Sequence, residues 1–250
     1  MLFLEWRHSP RVCKEWFETV HDAAVFLKNV DSELRITDYL AEAVSSEGNS
    51  HRAMELFEDA LELAEKVGQD VMVVKLLDKL ARYQSGLGNP RQAAEYHEQS
   101  LEIYEKAKDT IRICEISTDL SHAYLKTKNA TNSIDHFLKA LELSKANELK
   151  EGETENLHNA GVACAMAGDF ERASKYYNRS LSLDRELKRP VGEANNLWKT
   201  SLVMEKTGDM RNAIKNAESV MKIYKKFNHP NSRVVAGQLQ TWKGSMARTK

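Results

Sequence analysis

A turn dipeptide recurs every 40 residues along the chain: Gly48-Asn49, Gly88-Asn89, Lys128-Asn129, Gly168-Asp169 and Gly208-Asp209. Five residues after each first member stands Ala53, Ala93, Ser133, Ala173 or Ala213. Thirteen residues after it stands Leu61, Leu101, Leu141, Leu181 or Met221, and two further on Leu63, Ile103, Leu143, Leu183 or Ile223. Five copies in register without an insertion define a repeat architecture. The apolar residues Phe57, Ala60, Leu61 and Leu63 lie on one helical face, and Tyr177, Ser180, Leu181 and Leu183 repeat that face. Each unit is therefore expected to be two helices joined at the dipeptide, whose glycine or asparagine accepts the left-handed backbone that closes a helix. The small residue lets the two helices approach. A lone hairpin cannot bury its apolar face, so neighbours must stack into an all-α solenoid.

The pattern resembles the tetratricopeptide repeat (TPR) family. The residues that carry it are Leu157, Ala160-Gly161, Cys164, Gly168-Asp169-Phe170, Ala173, Tyr177 and Ser180-Leu181 in the fourth unit. In the first unit they are Leu40-Ala41, Val44, Gly48-Asn49, Ala53, Phe57 and Ala60-Leu61. The period exceeds the family's usual 34 residues and the usual proline at the repeat end is missing. It is similar to the long-helix subclass that includes the Pins/LGN-type adaptors and the arrays of bacterial regulators and signalling ATPases. The resemblance implies a right-handed αα superhelical solenoid that binds proteins rather than catalysing a reaction.

The expected organisation is an incomplete first repeat at 1–29, five repeats at 30–228, and a capping helix with a tail at 229–250. Residues 12–28 carry Cys13, Phe17 and Val20 in second-helix phase, so the matching first helix is expected to lie outside this sequence. Pro230 is expected to end the preceding helix before a single cap over 232–247. In the third unit Lys128 replaces the turn glycine, and Asn129 is the candidate for the left-handed position. Ordinary drift between repeats and a local change of curvature both fit that departure.

Composition narrows the function. Lys plus Arg total 36 against 37 Asp plus Glu, which disfavours a generally basic nucleic-acid binder. The three cysteines, Cys13, Cys114 and Cys164, are too few and scattered for a disulfide framework. With no secretory signal pattern and no long apolar run, a cytoplasmic location is expected. No phosphate-loop, zincin, CxxC or nucleophile-elbow motif occurs. The eight histidines form no ligand spacing, and acid pairs such as Glu58 with Glu62 or Glu151 with Glu155 read as solvated faces. Neither a metal nor a cofactor is expected, nor an enzyme.

Charge is uneven along the chain. Residues 31–70 hold 11 acids and 3 bases, a net of −8, and residues 206–250 hold 10 bases and 2 acids, a net of +8. Solubility explains this, or else Lys215, Lys222, Lys225, Lys226 and Arg233 form a patch for an acidic partner. The family resemblance implies that first helices line a concave groove. Carried onto this chain, it selects Arg82, His122, Asn159 and Trp198 as peptide-contacting residues, within a set that includes Asp38, Glu42, Lys75, Lys79, Thr118, His158, Asn195, Lys199 and Glu205. Trp198 is read either as an exposed anchor or as packing between repeats. The lysine/asparagine carboxylate clamp of chaperone-binding members is missing from every repeat junction.

Overall fold

The computed structural model describes residues 10–248, with side chains described from Trp16 to Ala247. These residues form twelve α-helices and no strand. They are α1 (Pro10–Phe26), α2 (Val30–Ser46), α3 (Ser50–Lys66), α4 (Asp70–Gly86), α5 (Pro90–Ala107), α6 (Thr110–Lys126), α7 (Ala130–Ala146), α8 (Lys150–Met166), α9 (Phe170–Glu186), α10 (Pro190–Lys206), α11 (Met210–Lys226) and α12 (Ser232–Arg248). The expected hairpins are α2/α3, α4/α5, α6/α7, α8/α9 and α10/α11, with α12 packed on α11. The terminal helices start or end a residue or two away from their expected bounds.

The backbone period is 20 residues, half the sequence period. Lys28, Gly48, Gly68, Gly88, Lys108, Lys128, Glu148, Gly168, Lys188, Gly208 and Asn228 all have positive φ, between 51° and 87°. The next residue's N–H then returns to the carbonyl five positions back, as in Asn49 to Val44 (3.3 Å), Asp169 to Cys164 (2.9 Å) and His229 to Tyr224 (2.9 Å). Every link thus closes the preceding helix by the same left-handed cap. The start of the following helix differs from link to link. Asn29, Asn49, Asn129, Asp169 and Asp209 each accept a side-chain hydrogen bond from the N–H three residues on, whereas Gln69, Asn89, Leu149 and Arg189 cap nothing with their side chains, so four of the five links inside the hairpins set out by the repeat carry a side-chain cap.

This corrects the reading of the third unit. Lys128 itself takes the left-handed conformation at φ 61°, and Asn129 at φ −86° is the cap, accepting from the Asn132 N–H at 3.3 Å. The end of α11 is likewise closed by Asn228 and His229, upstream of Pro230. A lysine in this conformation carries a Cβ clash that glycine lacks. Replacing exposed Lys188 (φ 54°) with glycine is therefore expected to stabilise the protein by about 0.5–1 kcal/mol, read by urea titration, while Lys188→Ala gains nothing.

The helices divide into two compact units, 1–109 and 110–250. Within each unit every helix packs on its sequence neighbour, the arrangement of a TPR-type helical solenoid. In the first unit Phe17, Leu34, Leu40, Phe57, Leu76 and Leu80 share one core. In the second, Ile134, Phe137, Cys164, Tyr177 and Val203 form one cluster, and Val220, Tyr224, Val235 and Trp242 another. Ala53, Ala93, Ser133, Ala173 and Ala213 are all buried, as helix contact requires. The hydroxyl of Ser133 costs little there because it donates to the Ser121 carbonyl at 3.0 Å.

Candidate binding surface of the first helices

First helices of neighbouring hairpins are tied together by polar side-chain pairs. In the first unit, buried Asp38 of α2 accepts from Lys75 at 2.9 Å and from Lys79, both on α4. Lys79 also reaches Glu42 at 2.5 Å and lies 4.9 Å from the centre of the Phe57 ring. Tyr83 and Ser45 are hydroxyl partners one turn further on. The bond to Asp38 holds the Lys75 ammonium pKa above the usual lysine range. Arg82, on α4, is exposed and enters no ion pair or side-chain hydrogen bond among the described residues.

In the second unit Thr118 of α6 donates to Asn156 of α8 at 2.9 Å, and Asn159 meets His122 at 3.3 Å. His158 of α8 meets Asn196 of α10 at 2.8 Å. Asn196 is 1% exposed, and its amide nitrogen donates to Ser180 and Asp184, both at 2.8 Å, and to the Gly192 carbonyl at 3.3 Å. With the amide nitrogen facing carboxylate and carbonyl acceptors, its oxygen must face His158, so His158 Nδ1 carries the proton and donates. Burial pushes the pKa values of His122 and His158 below the usual imidazole range and that of Asp184 above the usual carboxylate range. Among the described residues no group of three His, Cys, Asp or Glu could hold a metal ion.

At the end of the second unit Glu205 of α10 accepts from Trp242 (2.6 Å) and Gln238 (3.1 Å) of α12. Trp198 is half-buried, its ring centre 5.7 Å from that of Trp242. It is thus less exposed than the anchor reading supposed, because α12 covers one face of the ring. Tyr224 of α11 donates to Asn195 at 2.6 Å. Lys199, also half-buried, has its pKa lowered by burial and enters no ion pair or hydrogen bond among the described residues.

Of the four residues selected as peptide-contacting, His122 and Asn159 are brought into direct contact, Trp198 is on α10, one hairpin beyond Asn159 and against Trp242 of α12, and Arg82 belongs to the first unit. Sequence reasoning missed the buried amides Asn156 and Asn196. Their signal was legible: they stand 40 residues apart at a register that Ile36, Leu76 and Ile116 fill with apolar side chains.

A stack of helical hairpins with polar-lined first helices defines a helical-repeat protein. The tetratricopeptide repeat family model matches residues 13–106 and 112–186, and the chain belongs to that family. No curated protein matches the sequence significantly. Among solved structures the chain is similar to BtubC (BKLC) from P. vanneervenii, with 18% identity, TM-score 0.68, and 88% of this chain and 92% of that one covered. It is also similar to a signal transduction ATPase with numerous domains, with a tetratricopeptide repeat sensor, from Pyrococcus horikoshii: 18% identity, TM-score 0.72, covering 96% of this chain and 40% of that one. A third likeness is to the apo form of RapI, with 14% identity, TM-score 0.69, and 78% and 72% covered. These likenesses establish the fold. No helix among the described residues is long and apolar enough to cross a membrane.

Proposed function

We propose that the chain is a non-catalytic, cytoplasmic protein-interaction scaffold that holds a peptide or helical segment on the first-helix face, contacting Arg82, His122, Asn159 and Trp198. The observation that supports this reading is, within each unit separately, the contrast between first-helix polar side chains locked to one another and a cation that enters no ion pair among the described residues, Arg82 in the first unit and Lys199 in the second. Locked side chains present fixed donors and acceptors at little entropic cost, and a half-desolvated lysine favours an anionic group brought to it. Lys215, Lys222, Lys225, Lys226 and Arg233, all exposed, would receive an acidic partner segment. The reading requires no cofactor.

The test is calorimetry with a partner captured on the purified chain. Trp198→Ala is expected to weaken binding by roughly 2 kcal/mol or more. Lys199→Gln should weaken it with α12 packing left intact. Glu171, exposed on α9 and paired with Lys175 at 2.7 Å, should tolerate alanine. Unchanged affinity in the first two variants with loss in Glu171→Ala would move the interface to the second helices. The likeness to the sensor-bearing signal transduction ATPase favours a second reading, in which the array is the sensor or regulatory part of a larger signalling ATPase, defence protein or transcriptional regulator. A nucleotide-binding domain in the same gene would decide for it.

A further inference from the structure

The second helices of the first and fifth hairpins carry opposite charges at three equivalent positions and like charges at two, Glu58 with Glu218 and Lys66 with Lys226. On α11 the exposed bases Arg211, Lys215, Lys222, Lys225 and Lys226 recur at intervals of four, seven, three and one residues. Successive helical residues turn by about 100°, so these five lie within roughly one third of the helix circumference. The one acid among them, Glu218, is tied to Lys243 of α12 at 2.6 Å. None of the five bases enters an ion pair among the described residues; Lys226 lies 5.6 Å from the Phe227 ring. On α3, 160 residues earlier and thus at equivalent repeat positions, Glu55, Glu62 and Glu65 stand where α11 has Lys215, Lys222 and Lys225. Glu58 and Asp59 flank them on the exposed face. Five acids outnumber two bases there, Arg52 and Lys66, which pair with Glu55 and Glu62, both at 2.7 Å.

We infer that α11 docks the α3 face of a second copy of this chain. The inference rests on the reading of the α11 bases as a patch for an acidic partner, and it names that partner. The argument is complementarity of spacing as well as of sign. The charges on both faces are separated by seven and three residues, about 10 Å and about 4.5 Å of helix rise. Two such helices laid side by side in the same direction bring all three opposite pairs together. The α3 and α11 faces are different surfaces, so the contact is heterologous and each copy keeps one face free, the pair as a whole keeping one of each kind for further growth. Exposed ion pairs give a weak, salt-sensitive association.

Sedimentation velocity of the full chain tests this. From micromolar to near-millimolar protein in about 0.02 M salt, the sedimentation coefficient should rise with concentration, and about 0.5 M salt should abolish the rise. Lys215→Glu/Lys222→Glu/Lys225→Glu should sediment as a monomer, as should Glu55→Lys/Glu62→Lys/Glu65→Lys. Mixing the two triple variants should restore association, because the acidic α3 of the first then meets the basic α11 of the second. Circular dichroism confirms that both variants stay folded, as exposed substitutions should. A wild-type chain that stays monomeric at low salt, or a mixture that fails to associate, overturns the inference. Poly-L-glutamate binding separates that failure from failure of the acidic-partner reading. Binding by the wild type that is lost in the α11 triple variant would leave the patch intact while the self-docking falls.

Discussion

Replacing Asn196 with alanine is expected to cost about 3–5 kcal/mol of stability, measured by denaturant titration. The amide sits at the meeting point of α8, α9 and α10, where it accepts from His158 and donates to Ser180 and Asp184. Alanine removes three side-chain partners at once. The most expensive orphan is Asp184, 1% exposed, whose other carboxylate oxygen has only a 3.6 Å ion pair with Arg189. A buried acceptor without a donor loses its hydration and gains nothing in return. A double-mutant cycle with Asp184→Ala should show strong coupling, the second substitution costing much less once Asn196 is gone. Additive losses would mean that the amide fills space without supporting the carboxylate.

The second large effect is expected where α8 meets α9. A Cβ at Gly161 would lie 2.7 Å from the Tyr177 ring, which is itself 1% exposed and cannot retreat. Tyr177→Ala should cost about 3–5 kcal/mol, as for other buried aromatic truncations. Gly161→Ala should cost about 1–3 kcal/mol through overpacking. The helical backbone at Gly161 has no positive φ, so the requirement is the close approach alone. In a Tyr177→Leu background the smaller side chain leaves room, and Gly161→Ala should then be nearly neutral. Thermal or urea unfolding of the four proteins gives the coupling. A full-sized loss in the leucine background would show that a feature other than the ring excludes the methyl group.

The two sites differ in how far the sequence exposes them. Gly161 falls on the glycine of the family pattern, and Tyr177 on its aromatic position, so their pairing is legible once the 40-residue register is found. For Asn196 the register shows only the position: Ile36, Leu76 and Ile116 at equivalent places mark it as inward-facing, but not what would make an amide tolerable there. The hydrogen bonds that make an amide tolerable there come from His158, Ser180 and Asp184, which lie 12 to 38 residues away. The same holds for Asp38, a surface acid by composition that Lys75 and Lys79 hold in a buried position from the next hairpin.

The sequence by itself determined the all-helical class, the hairpin pairing and the small residues at helix contacts. Each of these depends on residues near one another in the chain and is repeated five times, so local preference and register reinforce one another. Tertiary structure decided which polar residues on the first helices remain available to a partner. His122 and Asn159 are engaged with each other, Trp198 is half-covered by Trp242, and Lys199 and Arg82 are left without counter-charges. Residues alike in type and repeat position part company because availability is set by contacts between hairpins roughly 40 residues apart, and those contacts differ at each junction even where the register does not.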